Sequence, residues 1–175
     1  MNRIYRYRND RRTRYWTALY FVAYLALGWA LYALYEGGYF TAWFASSIGA
    51  LLILMALSIP RRLELTADKV RVVCLLDMTE VPYVDIASVR RVEEEDKRLI
   101  IPIFGGCGFF GYYGHFLDLK RFDRLLIYAS EWRNLVEITT IYEEHLWLSC
   151  SEADELVAAI RIAVEEARSE SQQEA

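Results

Sequence analysis

The chain has 175 residues, of which 55% are hydrophobic and 25% charged, and its net charge is −4 at pH 7. The acidic balance lies from Arg61 onward, and a domain that acidic is repelled by nucleic acid and by an anionic membrane surface, which excludes its broad electrostatic binding to either. Three cysteines, Cys74, Cys107 and Cys150, share no Cys-x-x-Cys spacing and are odd in number. They read as reduced cytosolic thiols, with no disulfide frame and no zinc site.

Residues 1–14 form a basic leader, with Arg3, Arg6, Arg8, Arg11, Arg12 and Arg14 against Asp10 alone. Then come two uncharged apolar runs. Tyr15 to Tyr35 has 21 residues, about 31 Å as a helix and so one hydrocarbon thickness. Thr41 to Pro60 has 20. The break Glu36-Gly37-Gly38-Tyr39-Phe40 leaves room only for a tight turn, so residues 15–60 are predicted to be a two-span transmembrane hairpin with helices near 15–35 and 41–59. Arg61-Arg62 follows the second run, and the turn carries no basic residue. The positive-inside rule therefore places both termini in the cytoplasm and the chain in the cell membrane. Tyr15 and Trp16 suit the inner aromatic belt, and Tyr35, Tyr39, Phe40 and Trp43 the outer one. A signal peptide has a shorter apolar core and no second span behind it, so the first run reads as retained.

No ionisable residue lies inside either run, which removes the usual sign of an ion or proton path. The hairpin is first an anchor. Small residues recur four apart, at Ala26 and Ala30, Ala45 and Gly49, Ser46 and Ala50. This spacing allows close packing of the hairpin against itself or against a second copy as a homo-oligomer.

Residues 61–168 fit one cytoplasmic domain, with a polar tail at 169–175. From Arg61 onward there are 14 basic and 22 acidic residues, a net of −8. Alternation at Arg62 to Leu65 and Val70 to Val72 predicts a hairpin, and further strands are expected near Thr79, Ser88, 98–104, 123–129, 135–140 and 145–149. Pro82 argues against a long central strand. Ser151-Glu152-Ala153-Asp154 resembles a capping box, and Leu156, Ile160 and Val164 mark one face of a helix ending near Arg168.

About seven strands followed by one amphipathic helix is the element order of a pleckstrin-homology-like (PH-like) domain. The stretch Phe104-Gly105-Gly106-Cys107-Gly108-Phe109-Phe110-Gly111-Tyr112-Tyr113-Gly114 resembles the Gly-aromatic signature of a bacterial PH-like family. Ile127 to Ala129, Asn134 to Val136 and the Ser/Asp turn before the last helix are similar to the same family, over residues 62–165. Ile141-Tyr142-Glu143-Glu144 departs from it, where a short polar hairpin is usual. The resemblance implies a bent β-sandwich or barrel capped by a C-terminal helix, often behind a two-span hairpin. It implies no enzymatic activity, no cofactor and no agreed ligand.

Gly106-Cys107-Gly108-Phe109-Phe110-Gly111 also matches Gly-x-Gly-x-x-Gly, with Glu131 20 residues beyond its last glycine. A dinucleotide site needs a helix to start there, and three glycines with four aromatics make a poor one, so no nucleotide is expected. Gly105, Gly106, Gly108, Gly111 and Gly114 are instead read as structural. Phe109, Phe110, Tyr112 and Tyr113 form a candidate contact loop; neighbours on extended backbone face opposite ways, which gives Phe109 and Tyr113 as an exposed pair and Phe110 and Tyr112 as an inward pair, in an assignment that alternation leaves reversible. Cys107 and His115 have no evident orienting partner, so no catalytic residue is assigned. Glu93 to Asp96 reads as a solvated turn, and neither it nor the isolated His115 and His145 defines a metal site.

The expected function is a non-enzymatic, membrane-anchored module for protein interaction or scaffolding. Two alternatives stand beside it: a lipid-headgroup sensor using Arg90, Arg91, Lys97 and Arg98, and an accessory subunit that binds a larger membrane complex through its hairpin.

Overall fold

In a computed structural model, which describes residues 3–7, 11–34, 38–75, 78–97 and 99–173, the two apolar runs are helices α1 (Arg11–Leu34) and α2 (Tyr39–Leu57). Both are long and apolar enough to cross a membrane, and only a small part of either is buried within the molecule. A core helix of a soluble bundle would be mostly buried; these two expose their apolar side chains. They pack along small residues and hydroxyls. Tyr24 Oη donates to Ala45 O at 3.0 Å, and Thr41 Oγ1 to Leu31 O at 3.3 Å. A Cβ on Gly49 would lie 3.3 Å from Tyr24 Oη, so the Ala45–Gly49 pair is used inside the hairpin. Ala26, Ala30, Ser46 and Ala50 stay exposed. Of the predicted turn at 36–40, residues 36 and 37 lie outside the described residues, Gly38 caps α2, and Tyr39 and Phe40 already belong to that helix.

Ser58 closes α2, its amide donating to Leu54 O and Met55 O. Pro60 cannot continue the helix and instead starts a strand.

Ten strands follow the chain order β1 (Arg3–Arg6), β2 (Pro60–Leu65), β3 (Lys69–Cys74), β4 (Met78–Pro82), β5 (Ile86–Arg91), β6 (Ile100–Cys107), β7 (Tyr112–Asp118), β8 (Asp123–Ala129), β9 (Leu135–Thr140) and β10 (His145–Ser149). A single 3₁₀ turn, Tyr83–Asp85, separates β4 from β5, and α3 (Ala153–Gln173) ends the fold. The part of the leader at residues 3–6 is therefore a strand, which pairs antiparallel with β2 from Arg3↔Leu65 to Arg6↔Arg62. Because β1 precedes α1 and β2 follows α2, this pairing holds both flanks of the hairpin on the same side of it.

The strands form two sheets, β1-β2-β3-β4 and β5-β9-β10-β8-β7-β6. Neighbours are antiparallel except β8 and β10, which run parallel. This corrects the expected bent sandwich or barrel of about seven strands. Neither sheet closes on itself, and among the described residues no strand pairing joins one sheet to the other. Alternation fixes which face of a strand is buried, but the lateral partner is set by tertiary contacts that a hydrophobic pattern does not encode. The two sheets and α3 nevertheless share one core: Leu63, Leu65, Val70 and Val72 from the first sheet meet Ile86, Ile138 and Leu148 from the second and Leu156, Ile160 and Val164 from α3. A second cluster around Phe116, Ile127, Leu135 and Trp147 forms separately.

The two edges of the six-stranded sheet differ. At β5, Arg161 donates to Val89 O through Nη2 at 2.9 Å, and Arg168 to Ile86 O at 2.9 Å. These α3 side chains occupy backbone acceptors that a new strand would need. At β6 Tyr20 of α1 donates to Cys107 O at the end of the strand, while Ile101, Ile103 and Phe104 before it are 44%, 56% and 78% exposed.

Candidate functional site

The glycine stretch builds a bent β6–β7 hairpin beside the N-terminal half of α1 and the C-terminal half of α2. Gly105 and Gly114 face each other in register at φ +139° and +106°. A Cβ on Gly105 would stand 2.0 Å from Tyr113 O, and one on Gly114 2.3 Å from Phe104 O. Only glycine allows this approach, beside the register shift between Pro102 and Phe104. Gly106 lies against the Tyr113 ring. The turn proper closes through Gly108 N donating to Gly111 O at 2.8 Å, with Phe110 at φ +54°. Strand β7 follows that turn, so the glycine motif has no helix N-terminus to receive a pyrophosphate.

Helix α1 seats on this turn. Phe110 N donates to Thr17 Oγ1 at 2.8 Å, Thr13 Oγ1 donates to Ser130 O at 2.9 Å, and Tyr20 Oη donates to Cys107 O at 3.2 Å. Phe109 lies 5.8 Å from both the Tyr20 and the Phe21 rings and 5.0 Å from Phe110, which meets Phe21 at 6.4 Å. Tyr112 packs on Trp132 at 4.6 Å. Burial corrects the expected outward pair: Phe109 and Tyr113 are 1% and 2% exposed. Tyr112 is buried as well, and Phe110 is half-buried. Strict alternation does not hold in a segment that turns at 108–111, where Tyr20 and Phe21 of α1 cover Phe109. Thr13 and Thr17 are the residues the sequence reading missed; their signal was two hydroxyls four apart at the start of an apolar helix.

Beside the hairpin, α2 and the second sheet border an open cavity of about 550 Å³, which Cys74 of β3 also lines. Its walls include Leu51, Leu54 and Met55 of α2, Phe104 of β6, Tyr113 of β7 and Leu126 of β8.

The basic residues proposed for a headgroup are mostly committed to carboxylates. Arg90 Nη1 donates to Asp96 at 2.9 Å, and its Nη2 stands 2.5 Å from the buried Glu137 carboxylate. Arg91 binds Asp154 and Asn134, and Lys97 binds Glu94 at 2.6 Å. Arg98 lies outside the described residues. Arg91 and Lys97 share a cavity of about 460 Å³ with Arg133, but Glu93 and Glu94 line it too. Glu137 also meets His145 Nδ1 at 3.0 Å. This charge cluster around the buried Glu137, which Arg121 also approaches, was not legible from spacing, since its members come from separate segments.

Among the described residues no group of three or more His, Cys, Asp or Glu side chains is arranged to hold a metal. Burial pushes the thiols of Cys107 and Cys150 up, away from the thiolate a nucleophile requires.

Two sheets over a common core with a C-terminal helix define a mixed α/β, PH-like domain. Residues 61–164 match the family model described as a bacterial PH domain, and the chain belongs to that family. No curated protein and no solved structure matches the chain.

Proposed function

We propose that the chain is a non-enzymatic, membrane-anchored PH-like module for protein interaction or scaffolding at the cytoplasmic membrane face. The exposed β6 edge carries this reading. It is an apolar strand exposed from Ile101 to Phe104 in a domain whose opposite edge is met by arginines, and such an edge offers backbone pairing and side-chain pockets to an extended segment of a partner. The contact loop proposed from the sequence serves instead to fasten α1 to the domain, which holds β6 at a fixed height beside the helices. The six basic residues of the leader and Arg61-Arg62 support an orientation with both termini inside.

The test has two arms. Reporter fusions at the N-terminus, after Gly38 and at the C-terminus should read in, out and in. A photocrosslinker at Ile101 in the intact protein should capture the same partner at low and high salt, and Ile101→Asp should abolish its co-purification. A partner lost with Arg91→Ala and with added salt would favour the headgroup-like charged site instead. A partner insensitive to both but lost when Ser46 and Ala50 are enlarged would favour the accessory-subunit reading, with the hairpin as contact surface.

A further inference from the structure

We infer that the cavity between α2 and the β6–β8 face holds one acyl chain of an inner-leaflet phospholipid. This inference rests on the membrane-spanning reading above. Leu51, Leu54, Met55 and Ser58 fall at helical spacings of three and four and line one wall of the cavity. From Ser58 to Leu51 that wall rises about 10 Å along the helix axis. Ser58 ends α2, where an inner-leaflet headgroup lies, so the wall runs from headgroup level into the hydrocarbon. A lipid chain lies along a spanning helix in the same direction.

The opposite wall belongs to the domain. Phe104, Tyr113 and Leu126 face the same space from three strands. The volume, about 550 Å³, lies within the range of small-molecule sites, and the lining is mainly apolar. Exposed Leu51 and Leu54 make the cavity continuous with the apolar outer face of α2, so a lipid enters laterally without leaving the bilayer.

The test uses the full chain in nanodiscs containing a phosphatidylglycerol with a diazirine on one acyl chain. After irradiation and digestion, label is expected on peptides containing Tyr113 and Leu126 as well as on the outward faces of α1 and α2. Phe104→Glu places a carboxylate in the wall at an exposed position and should remove the Tyr113 and Leu126 label while leaving the helix label. Leu126→Trp, which fills the cavity, should do the same; circular dichroism and elution volume report whether each variant is folded. Label restricted to the helices in the wild type overturns the acyl-chain inference and leaves the membrane reading standing. Domain label unchanged in a folded Phe104→Glu also overturns it. Recovery of the protein without detergent, with no label on either helix, overturns the membrane reading itself.

Discussion

Phe110 N and Thr17 Oγ1 are 2.8 Å apart, a hydrogen bond between residues 93 positions apart in the chain. It ties the first apolar helix to the glycine turn. The same hydroxyl donates to Thr13 O at 2.8 Å, so one buried side chain serves two backbone groups. Thr17→Val keeps the shape and removes both bonds, leaving a part-buried amide unpaired at a cost of about 1 kcal/mol or more. Thermal unfolding of the intact protein in detergent should show that loss, and Thr17→Ser should restore most of it. Equal stability of the Val variant would mean that the aromatic contacts alone hold the helix to the turn.

The glycines should separate by their surroundings. At Gly105 and Gly114 a side chain meets backbone and the φ values are positive, so Gly114→Ala is expected to destabilise the chain by at least about 1–3 kcal/mol. A Cβ on Gly28, within α1, meets nothing within 4 Å, and Gly28→Ala should be neutral or slightly stabilising. Denaturation midpoints of the two variants, measured side by side, check this contrast. Similar losses at both positions would remove the backbone explanation.

Several elements could be read from the residues alone. The β2–β3 hairpin follows from alternation on either side of Thr66 to Asp68, and Pro82 does end β4 at a sheet edge. The capping pattern at Ser151 does precede a helix, which runs past Arg168 to Gln173 because the polar tail continues the turn without a breaker. Two strands were missed for physical reasons. β1 has four residues and gains its partner only after the chain crosses α1 and α2. β7 contains Gly114 and two adjacent tyrosines, a composition that reads as loop because its glycine is needed for close approach to β6. The covering of Phe109 by α1 depends on the height at which two segments meet, and no local pattern carries that information.

Acid sensitivity should come from paired carboxylates. Burial works to raise the Asp96 carboxyl, but the hydrogen bond and charge of Arg90 outweigh it and hold the group below its ordinary range. The Lys69 hydrogen bond is the main cause that holds Glu80 low, with Arg71 adding to it. A carboxylate lowered in the folded state contributes its stability fully above the unfolded value, near pH ~4, and loses it as pH falls through the folded value. Denaturant midpoints should therefore be insensitive to these pairs from about pH 7 to 5 and fall below about pH 4. Asp96→Asn should make that fall shallower. A main transition near neutral pH would assign the pH response to other groups.

The last prediction concerns the domain without its helices. Residues 61–175 lack β1, which covers the β2 edge, and lack α1, which covers Phe109 and Phe110. In the intact chain Phe109 is 1% exposed, so Phe109→Ser should destabilise by an amount near the ~3–5 kcal/mol typical of large-to-small core changes at Phe. In the fragment the same ring has lost much of its packing, so the substitution should cost less stability and raise soluble yield by removing an exposed apolar patch. A smaller loss of stability in the fragment than in the intact chain, together with a gain in the fragment's soluble yield, would identify α1 as the cover of this turn. A fragment that is already monomeric and soluble, with no gain from Phe109→Ser, would show that the turn repacks by itself and that α1 contributes anchoring alone.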